Sequence, residues 1–197
     1  MNRSRDEVLQ AVREQMPEQR WAHTEGVMQC AVELANRYGG DPVKADIAAL
    51  LHDVAKYWPT EKMERIIVEQ KLPSELLSHD KSLWHAPVGA FVAEYEFGIT
   101  DVEILDAIRY HTSGREKMTL LDRIVCLADY IEPGRNFPGV DHIRALAEKN
   151  LDEALVAGFD STIQFLLEKK RRIFPLTVIA RNSLLASLER TSSDSKA

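Results

Sequence analysis

The sequence has few cysteines. Cys30 and Cys126 are the only two in 197 residues, and both lie among apolar residues. Disulfide-stabilised secreted domains contain many more, so two thiols in apolar segments indicate a reducing compartment. The chain also lacks any run near the roughly 20 apolar residues that cross a bilayer, and its first residues do not resemble a signal peptide. We therefore expect a cytoplasmic protein with no membrane partner.

Positive charge is also in short supply, since 25 Lys and Arg residues face 31 Asp and Glu residues and the net charge is -6. Long nucleic acids and anionic membranes bind to basic faces, so this balance argues against either as the main partner. A small phosphorylated ligand needs only a few cations and a metal ion, and it remains compatible with the sequence.

Strand-like alternation, internal repeats and linkers are absent, and almost every segment has helical periodicity. Helix caps are expected at Ser4, Asp41 and Thr119, and helix stops at Gly39, Gly40 and Gly98. With 45% hydrophobic residues the chain can form one substantial core. We predict an all-α fold: a single helical-bundle domain with an interior metal site over residues 1–190, followed by a disordered tail over 191–197.

The periodicity also predicts where individual helices lie. One helix is expected to carry the pair His52-Asp53, and a short helix is expected near residues 73–83. The other main predicted helices cover residues 20–38, 84–97, 101–111, 120–131, 140–150, 151–174 and 176–188.

The most informative stretch runs from Ala48 to Lys56, where His52 and Asp53 directly follow apolar residues. We expect the pair to lie on a helix that faces the interior. Burying such groups costs several kcal/mol unless they are paired or bound to a metal ion. Lys56 lies one helical turn after Asp53. The alternative to a metal site is therefore a buried ion pair between Asp53 and Lys56, with His52 bonded to a backbone carbonyl.

Other histidines and an aspartate also occupy apolar helical segments or helix ends: His23, His85, His111 and Asp129. A lone histidine on an apolar face is more often a core residue than a ligand, but buried aspartates are rare unless paired or metal-bound. Facing helices of a bundle commonly supply metal ligands together, which favours one shared site. A second pair, His79-Asp80, lies in a polar segment, and we interpret it and His142 as solvent-exposed.

The order His, His-Asp, His, His, Asp resembles the HD-domain metal-dependent phosphohydrolases over nearly the whole chain. The match is closer still to a bacterial subgroup, the YqeK-type symmetrical hydrolases of diadenosine tetraphosphate. It is carried by the stretches Arg20–Thr24, Leu51–Lys56, Tyr110–Thr112, Ala128–Arg135 and Arg171–Pro175.

This resemblance implies a two-metal site with Asp53 as the bridging ligand. The implied metal ligands are His23, His52, Asp53, His85, His111 and Asp129. Ligands of mixed imidazole and carboxylate type suit iron(II), manganese, cobalt, nickel or zinc and fit calcium poorly. From the resemblance we favour two iron ions, with manganese, cobalt or nickel as alternatives.

The implied reaction is symmetrical cleavage of diadenosine tetraphosphate to two ADP by a metal-activated water, with Asp53 and Lys56 as catalytic residues. Arg20 lies one turn before His23, and Arg135 follows Asp129 in a loop rich in glycine and proline. Lys170, Arg171 and Arg172 lie at the end of a predicted helix, and their alternative role is a favourable interaction of their positive charge with the negative end of that helix. The candidate substrate-binding residues are Arg20, Lys56, Tyr110, Arg135, Lys170, Arg171, Arg172, Phe174 and Pro175.

Two other functions remain open at this point. The same metal site could serve another HD-type hydrolase of nucleoside monophosphates, deoxynucleoside triphosphates or cyclic dinucleotides. A nucleotide-binding protein that no longer turns over is a third alternative, although the complete ligand set argues against it. The sequence leaves a homodimer open as well.

Overall fold

The computed structural model describes residues 3–194, and within this range the chain folds into helices and turns without strands, which confirms the all-α prediction. The α-helices are α1 (Arg5–Arg13), α2 (Glu18–Tyr38), α3 (Pro42–Leu51), α4 (Thr60–Glu69), α5 (His85–Tyr95), α6 (Val102–Tyr110), α7 (Leu120–Ile131), α8 (Val140–Ala147), α9 (Leu151–Glu168) and α10 (Pro175–Asp194). Two short 3-10 helices, Ser74–Ser78 and Lys81–Leu83, occupy the region where one short helix is predicted.

Several helices begin at the predicted caps. Ser4 forms a capping box with Glu7 at the start of α1, and the Asp41 side chain accepts hydrogen bonds from the first turn of α3. Thr119 forms a second capping box, at the start of α7. These side chains satisfy backbone N–H groups that have no partner within the helix, so local sequence alone sets these three boundaries.

The prediction of a helix at His52-Asp53 is wrong. Helix α3 ends at Leu51, and the following residues form tight turns in which the Val54 N–H donates to the Leu51 carbonyl at 3.2 Å. The Lys56 N–H donates likewise to the Asp53 carbonyl at 2.9 Å. Every residue from Ala48 to Ala55 is buried, so no polar face marks the helix end in the sequence. The predicted interior position of the pair is correct.

The ends of the later helices also differ from the prediction. Helix α8 ends at Ala147 and α9 at Glu168, six residues before the predicted Phe174. Lys170 has a φ of 52°, in the left-handed region that ends a helix, and residues 171–174 form a connection to α10. Helix α10 continues to Asp194, into the predicted tail, while residues 195–197 of that tail lie outside the described range.

Helix α7 is the centre of the bundle. It packs against α2, α3, α6, α8 and α9, and its buried residues include Ile124 and Leu127. Helices α2 and α3 pack closely on one side, α5 and α6 on another, and α8 to α10 cover the remaining face. In the part of the chain that the structure describes, no helix combines the length and apolar character needed to span a bilayer.

Candidate metal centre and adjoining cavity

Asp53 lies at the centre of a cluster of histidines, and its side chain is fully buried. Its Oδ2 atom is 3.1 Å from His52 Nε2 and 3.7 Å from His23 Nε2. Its Oδ1 atom is 3.0 Å from His85 Nε2 and 3.9 Å from His111 Nε2. The two oxygens of one carboxylate therefore face two different pairs of imidazoles.

Asp129 completes the cluster, because its Oδ1 atom is 3.0 Å from His23 Nε2. The six side chains come from five separate parts of the bundle: α2, the turns after α3 (which supply two of them), the first residue of α5, the residue after α6, and the last turns of α7. The structure thus brings together all the residues that the sequence singled out as metal ligands.

The histidine ring orientations fit a bound cation. His52 Nδ1 donates to the Ala49 carbonyl at 2.6 Å, and His111 Nδ1 donates to the Ile108 carbonyl at 2.8 Å. In a neutral ring the other nitrogen, Nε2, then carries a lone pair. His52 Nε2 and Asp53 Oδ1 are buried without a hydrogen bond. Lone pairs and carboxylate oxygens at such distances repel one another unless a cation lies between them, so the cluster fits a divalent metal ion.

The charge states of the ligands agree with this interpretation. Burial lowers the pKa of His52 and His85 well below the usual value and that of His111 to about 3. These rings are therefore neutral near pH 7, which is the form that binds a metal ion. Burial alone would raise the pKa of Asp129, but the contact with His23 and the charge of Arg135 hold it well below its usual value.

Three basic side chains border the cluster. Arg20 pairs with the Asp53 carboxylate, and Arg135 pairs with the Asp129 carboxylate and also donates from Nε to its backbone carbonyl at 2.7 Å. The Lys56 ammonium lies 3.4 Å from His85 Nδ1. Burial, followed by the charge of Arg20, lowers the pKa of Lys56 to about 8. These groups place positive charge beside the carboxylates.

The alternative to a metal site is correct for His52 but wrong for the ion pair between Asp53 and Lys56. His52 does bond to a backbone carbonyl, but the ion-pair partner of Asp53 is Arg20. Lys56 instead lies against the His85 ring.

A cavity of about 560 Å³ adjoins the cluster. His111, Asp129 and Arg135 form its inner wall, and α9 forms the opposite wall. Its other lining residues are Thr112, Tyr130, Phe137, Pro138, Ser161, Thr162, Gln164, Phe165 and Glu168. This volume is typical of small-molecule sites. Of these lining residues the sequence indicated only His111, Asp129 and Arg135, because nothing in the pattern of α9 shows which face meets the site.

The remaining candidate substrate residues do not line this cavity. Arg171 pairs with Asp80 at 3.2 Å, and Arg172 donates to the Ser78 carbonyl at 3.0 Å. Phe174 is buried with its ring 5.0 Å from that of His79. Tyr110 lies under the Arg115 guanidinium, 4.9 Å from its ring centre, while Lys170 and Pro175 are exposed.

The expectation for the second His-Asp pair is correct for Asp80, which is exposed, whereas His79 is half-buried against Phe174. His142 is exposed as expected.

One residue at the cluster was not predicted. Glu132 is only 3% exposed, and its Oε1 atom is 2.9 Å from His23 Nδ1. The sequence does carry a signal for it, because an acidic residue follows Asp129 by three positions and directly precedes Pro133-Gly134.

The cluster of histidines and aspartates lies within a segment that matches a known domain family. Residues 20–134 match the model of the HD domain, and this segment contains all six clustered ligands. The chain belongs to the HD-domain family. The chain is 51% identical to the symmetrical bis(5'-nucleosyl)-tetraphosphatase of Bacillus subtilis (strain 168), over 93% of this chain and 98% of that protein.

Two further HD relatives cover most of the chain. The symmetrical bis(5'-nucleosyl)-tetraphosphatase of Staphylococcus aureus (strain NCTC 8325 / PS 47) is 40% identical over 92% of this chain and 95% of that protein. A crystal structure from Clostridium acetobutylicum, described as that of a predicted HD superfamily hydrolase involved in NAD metabolism, superposes with a TM-score of 0.90 at 40% identity. That match covers 94% of this chain and 98% of the other.

Proposed function

We propose that this HD protein is a metal-dependent hydrolase that cleaves diadenosine tetraphosphate symmetrically. Water adds to an inner phosphorus and the central phosphoanhydride bond breaks, so that each product is ADP. The observation that carries the proposal is the ligand cluster around Asp53, in a chain 51% identical to a symmetrical tetraphosphatase over nearly its whole length.

We further propose that the cluster holds two ions, with iron as the favoured metal. The support for two ions is the Asp53 carboxylate, since Oδ2 faces His52 and His23 while Oδ1 faces His85 and His111. Two groups of ligand atoms lie close enough to hold an ion, namely His23, His52 and Asp129, and His52, Asp53 and His111. When bound, such ions lower the pKa of a coordinated water and stabilise charge on phosphate oxygens.

The basic side chains around the cluster neutralise the polyphosphate. Lys56, with a pKa of about 8, is mostly protonated at pH 7 and lies beside His85, where it can bind a non-bridging phosphate oxygen. Arg20 pairs with Asp53 at the edge of the cluster, and its buried Nε atom has no hydrogen-bond partner. Arg135 lies on the wall between the cluster and the cavity.

The cavity is the proposed binding site for one nucleoside of the substrate. Phe137 and Phe165 offer aromatic surface for stacking on a base, and Ser161, Thr162 and Gln164 offer hydrogen-bonding groups. Phe165 is 51% exposed, which leaves its ring accessible to a ligand. Lys170, Arg171, Arg172, Phe174, Pro175 and Tyr110 remain predicted contacts for the rest of the substrate.

The test of this proposal is product analysis. The metal-loaded protein is incubated with diadenosine tetraphosphate, and the nucleotides are separated by chromatography. We expect ADP alone, whereas equal amounts of ATP and AMP would contradict symmetrical cleavage. Asp53→Ala should abolish turnover and reduce bound metal together, while Asp6→Ala, at an exposed position in the first turn of α1, is the matched control.

A substrate panel separates the proposal from its alternatives. Faster turnover of a nucleoside monophosphate, a deoxynucleoside triphosphate or a cyclic dinucleotide would assign a different substrate to the same metal site. Tight nucleotide binding without hydrolysis under any divalent metal would identify a non-catalytic protein. Light scattering on the same sample tests for a homodimer.

A further inference from the structure

Glu132 is a buried carboxylate whose two oxygens have separate partners. Oε1 lies 2.9 Å from His23 Nδ1, and Oε2 accepts the Gly134 N–H at 2.5 Å. Since a carboxylate only accepts hydrogen bonds, the proton between Glu132 and His23 belongs to His23 Nδ1. His23 Nε2 is then the atom left to face Asp129 and Asp53.

His23 differs from the other clustered histidines in the partner of its outer nitrogen. His52 and His111 donate to backbone carbonyls, and the outer nitrogen of the His85 ring, Nδ1, lies 3.4 Å from the Lys56 ammonium. A carboxylate forms a stronger, charge-assisted hydrogen bond than a carbonyl and makes the opposite ring nitrogen a better metal ligand. Glu132 therefore acts on the cluster through His23.

The absence of a side chain at Gly26 leaves room for the Glu132 carboxylate. A Cβ atom placed on Gly26 would lie 2.6 Å from Glu132 Oε2. Gly26 lies within α2, where glycine normally destabilises a helix relative to alanine, so the close approach of Glu132 accounts for its presence. Arg144 holds the Glu132 backbone from the other side, because its Nη2 donates to the Glu132 carbonyl at 2.9 Å.

We propose that Glu132 is a positioning residue for the metal site: it keeps the proton on His23 Nδ1 and so presents Nε2 to the metal ion, while Gly26 provides the room. This inference rests on the metal site of the proposed function and adds a residue to it. Partners of this kind typically change metal affinity by about 10–100-fold.

Glu132→Gln tests the charge with little change in shape. The amide nitrogen that this substitution introduces faces either the Gly134 N–H, where two donors meet, or His23 Nδ1, where it drives the ring proton to Nε2. In either orientation the variant loses one of the two hydrogen bonds that the Glu132 carboxylate accepts. Gly26→Ala tests the same contact from α2 without changing any ligand or Glu132 itself, and it remains informative if Glu132→Gln does not fold.

Two measurements are made on each protein. Long-range ¹H–¹⁵N NMR of metal-free protein with labelled histidine reports which His23 nitrogen carries the proton, with the signals assigned by their loss in His23→Asn. Titration with Mn²⁺ and Co²⁺ gives the dissociation constants. We expect an Nδ1–H ring in the wild type, and about 10–100-fold weaker binding of the first ion in both variants. Glu148→Gln, at a glutamate paired with Arg37, is the control and should bind as the wild type does.

Wild-type affinity and an unchanged Nδ1–H ring in folded Glu132→Gln or Gly26→Ala would overturn the inference. Because the ring proton is read without metal, this measurement decides the role of Glu132 separately from the proposed hydrolysis. A wild-type protein that bound no divalent ion would instead contradict the proposed function.

Discussion

At the scale of single residues, each of the two aspartates of the site lies against both a histidine ring and a basic side chain. Asp53 and Asp129 each contact an imidazole and a guanidinium through one carboxylate oxygen, and the guanidinium comes from Arg20 and Arg135 respectively. Lys56 differs from both arginines, because its ammonium lies against a His85 ring and forms no ion pair with a carboxylate in the described structure. It is therefore the cation most free to bind an incoming phosphate.

Removing the Lys56 charge should affect turnover more than metal binding. Lys56→Gln keeps a similar length but cannot neutralise a phosphate oxygen, so we expect kcat to fall by about 100-fold. Bound metal should remain at the wild-type level, since Lys56 is not a ligand. Steady-state kinetics with metal analysis checks both expectations. Lys149→Gln, at an exposed lysine, is the control, and an unchanged kcat in Lys56→Gln would refute the assigned role.

At the scale of elements, the site depends on where helices end. Helix α3 stops one residue before His52, and His111 directly follows α6. Asp129, in contrast, lies within α7, near its C-terminal end. A ligand on a turn can be aimed independently of the helix before it, which explains how His52 and Asp53, adjacent in sequence, both face one centre.

The capping box of α7 gives a prediction about stability. Thr119→Ala removes the side-chain acceptor of the Asp122 N–H, and we expect a loss of about 1 kcal/mol in the free energy of unfolding with little change in kcat. Urea denaturation measures the loss. Thr60→Ala at the start of α4 is the control, because the cap of that helix is Pro59 and has no side-chain hydrogen bond. Equal stability of the two variants would contradict the importance of this cap.

At the scale of the whole molecule, the clustered histidines and aspartates and the outer wall of the cavity belong to different parts of the chain. All six clustered ligands lie within residues 20–134, the segment that matches the HD domain. The outer wall of the cavity, from Ser161 to Glu168, belongs to α9 and lies beyond that segment. The C-terminal helices therefore shape the cavity, while the HD segment supplies the clustered histidines and aspartates.

Gly114 connects these two parts and is predicted to be intolerant of substitution. Its φ is +64°, and an added Cβ would lie 2.6 Å from Ala180 Cβ on α10 and 2.7 Å from the Phe159 ring on α9. Gly114→Ala should lower the free energy of unfolding by about 2–5 kcal/mol, from backbone strain and overpacking together. Gly39 has a similar φ of +73° but no atom near its Cβ position.

Gly39→Ala is therefore the matched control for strain alone, and its expected cost is about 1–2 kcal/mol. Chemical denaturation of both variants gives the difference between them, which is the contribution of packing against α9 and α10. If the two variants lost the same stability, the proposed contact of the Gly114 loop with the C-terminal helices would be wrong.

Metal removal should destabilise the entire bundle, because the ligands come from five separate parts of the chain. An ion that binds only the folded state adds about 2.7 kcal/mol when its free concentration is 100 times its dissociation constant. We expect chelation to lower Tm in differential scanning calorimetry and re-added metal to restore it. A Tm that is insensitive to both treatments would argue that the cluster holds no ion.

The sequence by itself determined where most helices lie, three of their N-caps and the set of candidate metal ligands. Periodicity and capping act over a few residues, and an aspartate such as Asp129 is conspicuous in an apolar helix. The resemblance to HD hydrolases then related the separate ligands to one another. Only the tertiary structure decided that Asp53 lies on a turn, that Arg20 is its ion-pair partner and that Glu132 contacts His23. These features depend on which helix ends meet in space, and a local pattern carries no information about contacts between residues more than 100 positions apart, as Glu132 and His23 are.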